Sequence, residues 1–468
     1  MILFKYLGVS LFLTIGLMAS AQTRLSLQEA QNYAVEHAFA VRNARLDAAK
    51  AEREVKETLA LGLPQISGSL QYNNYIDIPT QVAEGDVFGF PDYLVQFLGG
   101  VSQETGVPLN APEVDPNAIS EFQFGANQTA TAGIQASQLL FDGSYFVGLQ
   151  ASKAYASAML EGTIKSEAET KAAVAQSYHT VLVANENVKI LRASLELLKK
   201  SLADTDALYK AGFAEEMSVD QINLSLRDIE TRIRYAEQQA IVALDVLKFQ
   251  IGMPLATNVE LTDSIESLTA VDPTSTLLSS PFNATRNYDV RVQSKYVELA
   301  KLGVKNQQVK SLPSIGAFYT YQRNAQRFEF DFFDSNGKWY PTQLWGVQMN
   351  IPIFGSGLGY QRIQKAKVDL ERAEAALEQL ATAAELEYAS AKLELENAQN
   401  LRAINIESLA LAERIFAKTQ IKFNEGVASS FELTTAQNQL LTAQGNYINT
   451  TLQLLNAQAR MNKALSNF

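Results

Sequence analysis

The sequence predicts a mainly α-helical chain that combines long coiled-coil helical hairpins with four β-strands. Three observations predict this fold class: an N-terminal export signal, an internal duplication that spans the chain, and helical stretches far longer than those of globular domains. In a trimer, the strands of three chains would close into a twelve-stranded membrane β-barrel.

The first residues predict export across a membrane. Lys5 is the only charge in residues 1–21, and a nearly unbroken apolar stretch runs from Leu7 to Met18. This stretch is too short to span a bilayer comfortably, and it ends in Ala-Ser-Ala, the small-x-small pattern of a signal-peptidase site. We expect residues 1–21 to be a signal peptide and the mature chain to begin at Gln22. An uncleaved N-terminal anchor is the alternative.

Composition excludes several functional classes. The 468-residue chain has a formal net charge of −11 and no basic stripe, so we expect no nucleic-acid partner. It has no cysteine, and its only two histidines, His37 and His179, are far apart in sequence, so a transition-metal site is not expected. The sequence contains no nucleophile elbow, phosphate loop or zinc motif. We therefore predict that the protein is not an enzyme and binds no cofactor.

Three ordered matches between the two halves of the chain indicate an internal duplication. The strand openings match between Leu63–Tyr72 and Leu312–Tyr321, and the strand exits match between Ile134–Phe141 and Val347–Phe354. The glycine turns between helices match between Tyr209–Ala214 and Phe423–Ala428.

The duplication predicts the domain organisation. The first structural repeat covers residues 22–252, a linker or equatorial segment covers 253–285, and the second repeat covers 286–468. Each repeat reads helix, strand, loop, strand, long helix, glycine turn and returning helix.

Alternation of apolar and polar residues predicts the strands. We expect them at about residues 63–75, 131–141, 312–323 and 343–354, lengths that suit tilted membrane strands. Inside a bilayer the sheet edges must be paired, and four strands cannot close around a pore, so three chains are required. The alternative is a soluble antiparallel sheet with two exposed edges. The long strand connections, residues 76–130 and 325–343, are expected outside the cell.

The long helices predict helical hairpins. No Gly or Pro occurs from Tyr360 to Glu425, which would make a rod of roughly 100 Å. Apolar residues there recur in steps of three and four, as in coiled coils. Gly212 and Gly426 are expected to adopt the left-handed conformation that turns each long helix into its returning partner. Ser429 and Glu432 have the spacing of a capping box for the second returning helix.

Taken together, these motifs resemble the TolC family of outer-membrane efflux proteins. The resemblance covers essentially the whole mature chain and rests on the order and spacing of its motifs. These are the Leu-Pro strand openings, the Phe-Asp-Gly and Phe-Gly-Ser strand exits, the Tyr-x-x-Gly and Phe-x-x-Gly turns, and the segments Leu25–Ala30 and Ile251–Leu255. The family implies a homotrimer in the lipid of the cell outer membrane, with a twelve-stranded barrel and an α-helical tunnel that forms a long periplasmic extension. It also implies a periplasmic adaptor and an inner-membrane transporter of the RND, ABC or MFS type as partners.

The resemblance implies two sets of functional residues at the hairpin tips. Gly212, Phe213, Gly426 and Val427 match the tips that meet the adaptor. Residues matching an acidic ring at the tunnel entrance are Glu215, Glu216, Asp220 and Glu432. The alternatives are that Phe213 and Val427 cap their own hairpins, and that the carboxylates belong to an ordinary solvated surface.

We therefore expect an export channel that serves as the passive exit duct of a tripartite efflux pump. It would carry small molecules from the periplasm or the inner-membrane transporter to the exterior. The first alternative is the duct of a type I protein secretion system. A soluble periplasmic coiled-coil adaptor explains the helices but not the duplicated strands.

Overall fold

The computed structural model describes residues 23–84, 92–108, 119–123, 125–270 and 273–468. The predicted signal peptide and Gln22 lie outside these residues. The chain divides into two compact units. Of the described residues, those within Met1–Lys56, Val147–Gln307 and Tyr360–Phe468 form the helical unit, and those within Glu57–Phe146 and Gln308–Gly359 form the strand unit.

The helices include four that are far longer than a globular domain requires. In chain order they are α1 Leu27–His37, α2 Phe39–Ala60, α3 Asp92–Thr105, α4 Gly143–Lys210, α5 Glu216–Ile251, α6 Ile265–Ala270, α7 Thr274–Ser279, α8 Tyr288–Val309, α9 Leu358–Asn424 and α10 Ser430–Ala464. A 3₁₀ turn covers Ala284–Arg286. Among the described residues, no helix is both long enough and apolar enough to cross a membrane.

The strands of the described residues form three separate sheets. In chain order they are β1 Thr23–Leu25, β2 Gln65–Asn74, β3 Thr80–Glu84, β4 Ile119–Gln123, β5 Gln128–Phe141, β6 Val259–Leu261, β7 Ser314–Arg327 and β8 Tyr340–Asn350. The largest sheet is antiparallel, with strand order β2-β5-β7-β8. A parallel pair joins β1 to β6, and an antiparallel pair joins β3 to β4.

The four-stranded sheet has one mostly apolar and one mostly polar face, because alternate side chains of a strand point to opposite sides. Its register places Gly68 beside Ile134, Ile134 beside Tyr321, and Tyr321 beside Gln343. The face that carries Ile134, here called the apolar face, includes Ile66, Leu70, Tyr72, Tyr319, Trp345, Val347 and Met349. The polar face includes Ser67, Gln71, Asn73, Thr131, Gln135, Thr320, Asn324, Thr342 and Gln348, with Leu139, Phe318, Tyr340 and Leu344 as its larger apolar or aromatic exceptions.

The strand ends differ from the sequence prediction. The fourth strand was expected over residues 343–354, but β8 ends at Asn350, whose partner Ser314 is the first residue of β7. Pro313 and Pro352 lack the N–H groups needed to extend the pairing. At the opposite end, β5 begins at Gln128 and β7 continues to Arg327 because these two residues pair with each other.

Several connecting segments carry more structure than the pattern indicated. The first long connection contains the β3–β4 pair and α3, so the chain has more than four strands. The predicted first helix is interrupted at Ala38, where an extended backbone separates α1 from α2. Gly252 packs so closely against this break that an added Cβ would lie 2.3 Å from the His37 carbonyl oxygen.

Each returning helix packs against its long helix along a row of buried side chains that are either small or branched and apolar. Leu198 of α4 packs near Ile222 and Ile229 of α5. Ala391 and Leu395 of α9 pack with residues of α10 that include Leu454, Ala457 and Met461. These seams make the two helical hairpins the sequence predicts.

A buried histidine joins the two hairpins. His179 of α4 is only 4% exposed, and its Nδ1 lies 3.3 Å from Oδ1 of Asn456 on α10. Burial lowers the pKa of His179 to about 4, outweighing the opposing effects of Asn456 and Asp263.

His179 is expected to make stability fall in acid. Its folded pKa lies below the ordinary value of 6.5, so the folded state binds fewer protons between these values. This contribution is fully present above about pH 6.5 and is lost as the pH falls towards 4, by up to roughly 3 kcal/mol. Urea unfolding from pH 7.5 to 4 measures it. His179→Gln should flatten that slope. Parallel slopes for His179→Gln and the parent would contradict the assignment.

Candidate functional site at the two hairpin tips

The first tip is a tight turn between α4 and α5. Gly212 has a φ of 79°, and its N–H donates to the Tyr209 carbonyl at 2.9 Å. The N–H of Phe213 donates to the Leu208 carbonyl at 2.8 Å. This pair of hydrogen bonds is a Schellman motif, in which a left-handed residue satisfies the last carbonyls of the helix. The predicted left-handed conformation of Gly212 is confirmed.

The second tip repeats this backbone between α9 and α10. Gly426 has a φ of 74°, and its N–H donates to the Phe423 carbonyl at 2.9 Å. The N–H of Val427 donates to the Lys422 carbonyl at 2.8 Å. The predicted conformation of Gly426 is therefore also confirmed, and the two tips have matching turn geometry.

Both tips present apolar side chains to solvent. Phe213 is 83% exposed and Val427 is 74% exposed, so most of each side chain contacts nothing in its own chain. Met217 and Phe431, four residues further on, are exposed as well. This second pair was not among the predicted tip residues. Its signal was present in the sequence as an apolar residue four positions after the first in both repeats.

The two returning helices begin differently. Ser429 caps α10: its hydroxyl accepts from the Glu432 N–H at 3.2 Å, and the Glu432 carboxylate accepts from the Ser429 N–H at 2.8 Å. This confirms the predicted capping box. Glu215 occupies the matching cap position of α5 but makes no side-chain capping bond. The residue matching Glu432 there is Ser218, so acidic and hydroxyl residues exchange places between the tips.

The four candidate carboxylates are all exposed. Donation from the Ser429 backbone N–H, and then from its hydroxyl, lowers the pKa of Glu432, so that carboxylate is anionic at neutral pH. Glu215, Glu216 and Asp220 form no ion pair within the described part of the chain, whereas nearby Lys210 pairs with Asp206 at 2.6 Å. The tips therefore carry exposed carboxylates that no ion pair among the described residues neutralises.

The structure brings the two tips together. The hydroxyl of Ser430, four residues after Gly426, donates to Oε1 of Gln221, nine residues after Gly212, at 3.1 Å. Ile222 and Leu433 are buried beside this contact. The two exposed apolar pairs and the candidate carboxylates thus belong to one end of the helical unit.

Comparison with known proteins identifies the class to which this architecture belongs. Residues 284–467 match the family model described as outer membrane efflux protein. The probable efflux pump outer membrane protein TtgC of Pseudomonas putida is 24% identical over 382 residues, covering 78% of this chain and 73% of the relative.

Solved structures show the same fold. The CusC structure superposes with a TM-score of 0.68 at 16% identity and covers 94% of this chain and 92% of its own. The CmeC outer membrane channel of Campylobacter jejuni gives 0.65 at 18% identity, covering 94% and 85%. The fold is therefore that of outer-membrane channels. The predicted resemblance to the TolC family of outer-membrane efflux proteins is confirmed, and the protein is located in the outer membrane.

Proposed function

We propose that three copies of this chain form the passive exit duct of a tripartite efflux pump. The duct carries small molecules from the periplasm or an inner-membrane transporter to the exterior. The observation that carries the proposal is the four-stranded sheet, which has two free edges and one exposed apolar face.

The free edges support closure with other copies. Strands β2 and β8 are the outer strands, and their directions are opposite because each neighbouring pair is antiparallel. The β8 strand of one copy can therefore pair antiparallel with β2 of the next. Inside hydrocarbon, each unpaired backbone group at either edge costs several kcal/mol. Closure of the ring pairs these groups and so removes the cost.

The apolar face supports contact with lipid. Leu70 is 80% exposed and Trp345 is 78% exposed, although both lie on the face that has few polar residues. In a closed barrel this face would meet acyl chains, and the Ser, Thr, Asn and Gln residues of the polar face would line the lumen.

Native mass spectrometry of detergent-extracted protein tests the proposed assembly. The expected mass is that of three mature chains, and it should persist at detergent concentrations that strip bound lipid. A monomer or dimer that retains the strand signal in circular dichroism would contradict the proposed duct.

We propose that the exposed tips dock with a periplasmic adaptor. Phe213 and Val427 provide the exposed apolar contacts, with Gly212 and Gly426 holding the turns.

Efflux-pump names among the relatives support a pump over type I protein secretion. One relative, in Pseudomonas putida, is described as a toluene efflux pump outer membrane protein, which supports a small-molecule cargo. A strain that lacks this protein should show an efflux defect for dyes but normal protein secretion. That result would support the pump over the secretion system.

The carboxylates at the tips are proposed to attract cations to the tunnel entrance. Three copies of Glu215, Glu216, Asp220 and Glu432 would concentrate negative potential in a narrow opening. Neutralising all four as Gln or Asn should lower cation selectivity in single-channel recordings at low salt. The difference should shrink at 1 M salt, where the Debye length is about 3 Å. Glu432→Gln retains the hydrogen-bonding form of the capping box, so the turn is preserved.

The matched control removes the same charge elsewhere. Four exposed carboxylates near the start of α9 are suitable, namely Asp369, Glu371, Glu378 and Glu385. Equal loss of selectivity in the control and in the tip variant would show a general charge effect and contradict an entrance ring.

A further inference from the structure

A groove of about 700 Å³ runs across the apolar face of the four-stranded sheet. Its floor is formed by small residues, Gly68 of β2 and Ala132 of β5. Larger side chains form its sides and one end, namely Leu70, Ile134, Tyr321, Arg323 and Trp339. The register explains the shape: Ala132 lies between Leu70 and Arg323, so a small side chain is flanked by two large ones.

Arg323 is the unusual residue in this groove. It is exposed on an otherwise mostly apolar face, and its Nε donates to the Tyr321 hydroxyl at 3.0 Å. No carboxylate in the described part of the chain pairs with it. By contrast, Arg327, four residues later, pairs with Asp331 at 3.0 Å and donates to the Lys338 carbonyl at 2.9 Å. Arg323 therefore keeps most of its donors free for another molecule.

The position of Arg323 along β7 indicates how far along the proposed barrel the groove lies. It lies opposite Pro341, one residue after the start of β8, at the end where the strands are joined by loops. An aromatic cluster lies at the same end: the Tyr72 ring packs edge-on against Phe330 and Phe332, with centroids 5.5 and 5.7 Å apart. Aromatic residues concentrate where membrane barrels meet the headgroup region.

We propose that this groove binds a phosphorylated lipid of the outer leaflet. One acyl chain would lie along the small floor beside Leu70 and Ile134. The headgroup phosphate would accept hydrogen bonds from the Arg323 guanidinium, whose planar fork suits a phosphate group. The site rests on the proposed function in one respect, since the apolar face must be the lipid-facing side of the barrel.

Tryptophan fluorescence provides a direct test because the chain has only two tryptophans. In a Trp345→Phe background, Trp339 in the groove is the single reporter. The probe is a bis-phosphorylated lipid A with brominated acyl chains, titrated into reconstituted protein and compared with the same lipid after removal of its phosphates. We expect the lipid fraction that gives half-maximal quenching to be about tenfold lower for the phosphorylated lipid than for the lipid without phosphates. This difference corresponds to one charge-assisted interaction.

Two variants assign the effect to the guanidinium. Arg323→Gln should abolish the preference for the phosphorylated lipid, while Lys338→Gln, which removes a positive charge from the adjoining loop, should retain it. Equal half-saturation by both lipids in the parent protein, or an unchanged preference in Arg323→Gln, would overturn the site. Native mass spectrometry of the same samples separates the two proposals. A trimer without lipid preference contradicts only the site, and a monomer that retains the preference contradicts only the trimeric duct.

Discussion

Ile134→Lys is expected to prevent stable assembly of the protein in the outer membrane, whereas Gln135→Lys should be tolerated. Ile134 lies on the central strand β5, on the apolar face, and is 54% exposed. A lysine facing lipid near the middle of a bilayer costs about 2–4 kcal/mol, and a trimer would carry that cost three times. Gln135 lies on the polar face between Ser67 and Thr320, where the ammonium group would remain in water.

The two variants differ by one position and introduce the same side chain, so each controls for the other. Trimer yield in outer-membrane extracts and the urea midpoint of unfolding from lipid measure the effect. Equal loss in both variants would indicate that the sheet does not tolerate lysine in general. A larger loss for Gln135→Lys would reverse the proposed orientation of the sheet.

The presence of the four strands of the largest sheet was predictable because their signal is local. Alternation in a stretch such as Gln65–Asn74 places apolar side chains on one face and polar side chains on the other, and each strand shows it without reference to its neighbours. Strand ends depend instead on pairing partners distant in sequence. The last pair of β5 and β7 joins Gln128 to Arg327, and no pattern within either segment marks that limit.

The turn geometry at the tips was also predictable, since a glycine after a long helix and a Ser-x-x-Glu cap are both local signals. The break between α1 and α2 was not. It accommodates Gly252, which lies more than 200 positions away in the chain and whose close approach depends on tertiary packing. The lipid groove was not predictable for the same reason, because Gly68, Ala132 and Arg323 form one surface only after three strands align.

The roles of the four tip carboxylates differ in how far the sequence determines them. Glu432 is assigned to a cap by its spacing from Ser429, and the hydrogen bonds agree with that assignment. Glu215, Glu216 and Asp220 have no partner in the described chain, so their role depends on whatever lies beside the tip in the assembly. A sequence pattern within one chain carries no information about that neighbour.

Replacing both turn glycines with valine is expected to abolish export while leaving the trimer in the outer membrane. Gly212 and Gly426 have φ values of 79° and 74°, and a side chain in this region costs roughly 1–2 kcal/mol, more when it is β-branched. Nothing lies within 4 Å of an added Cβ at either position, so the strain comes from the backbone and not from a clash. Relief of that strain would shift Phe213 and Val427, the proposed adaptor contacts.

Asparagine provides the matched control at the same two positions, because it tolerates the left-handed conformation far better than valine does. The Gly212→Asn/Gly426→Asn variant should export a fluorescent dye at close to the parent rate and should crosslink to the adaptor from Phe213. The double valine variant should do neither, although its trimer yield in the membrane remains that of the parent. Gly162→Val, within α4 and also free of nearby atoms, separates the turn effect from a general cost of valine in a long helix. Normal export by the double valine variant would mean that coupling to the pump depends on another surface. Equal defects in the asparagine and valine variants would mean that added bulk, and not the left-handed turn, disturbs docking.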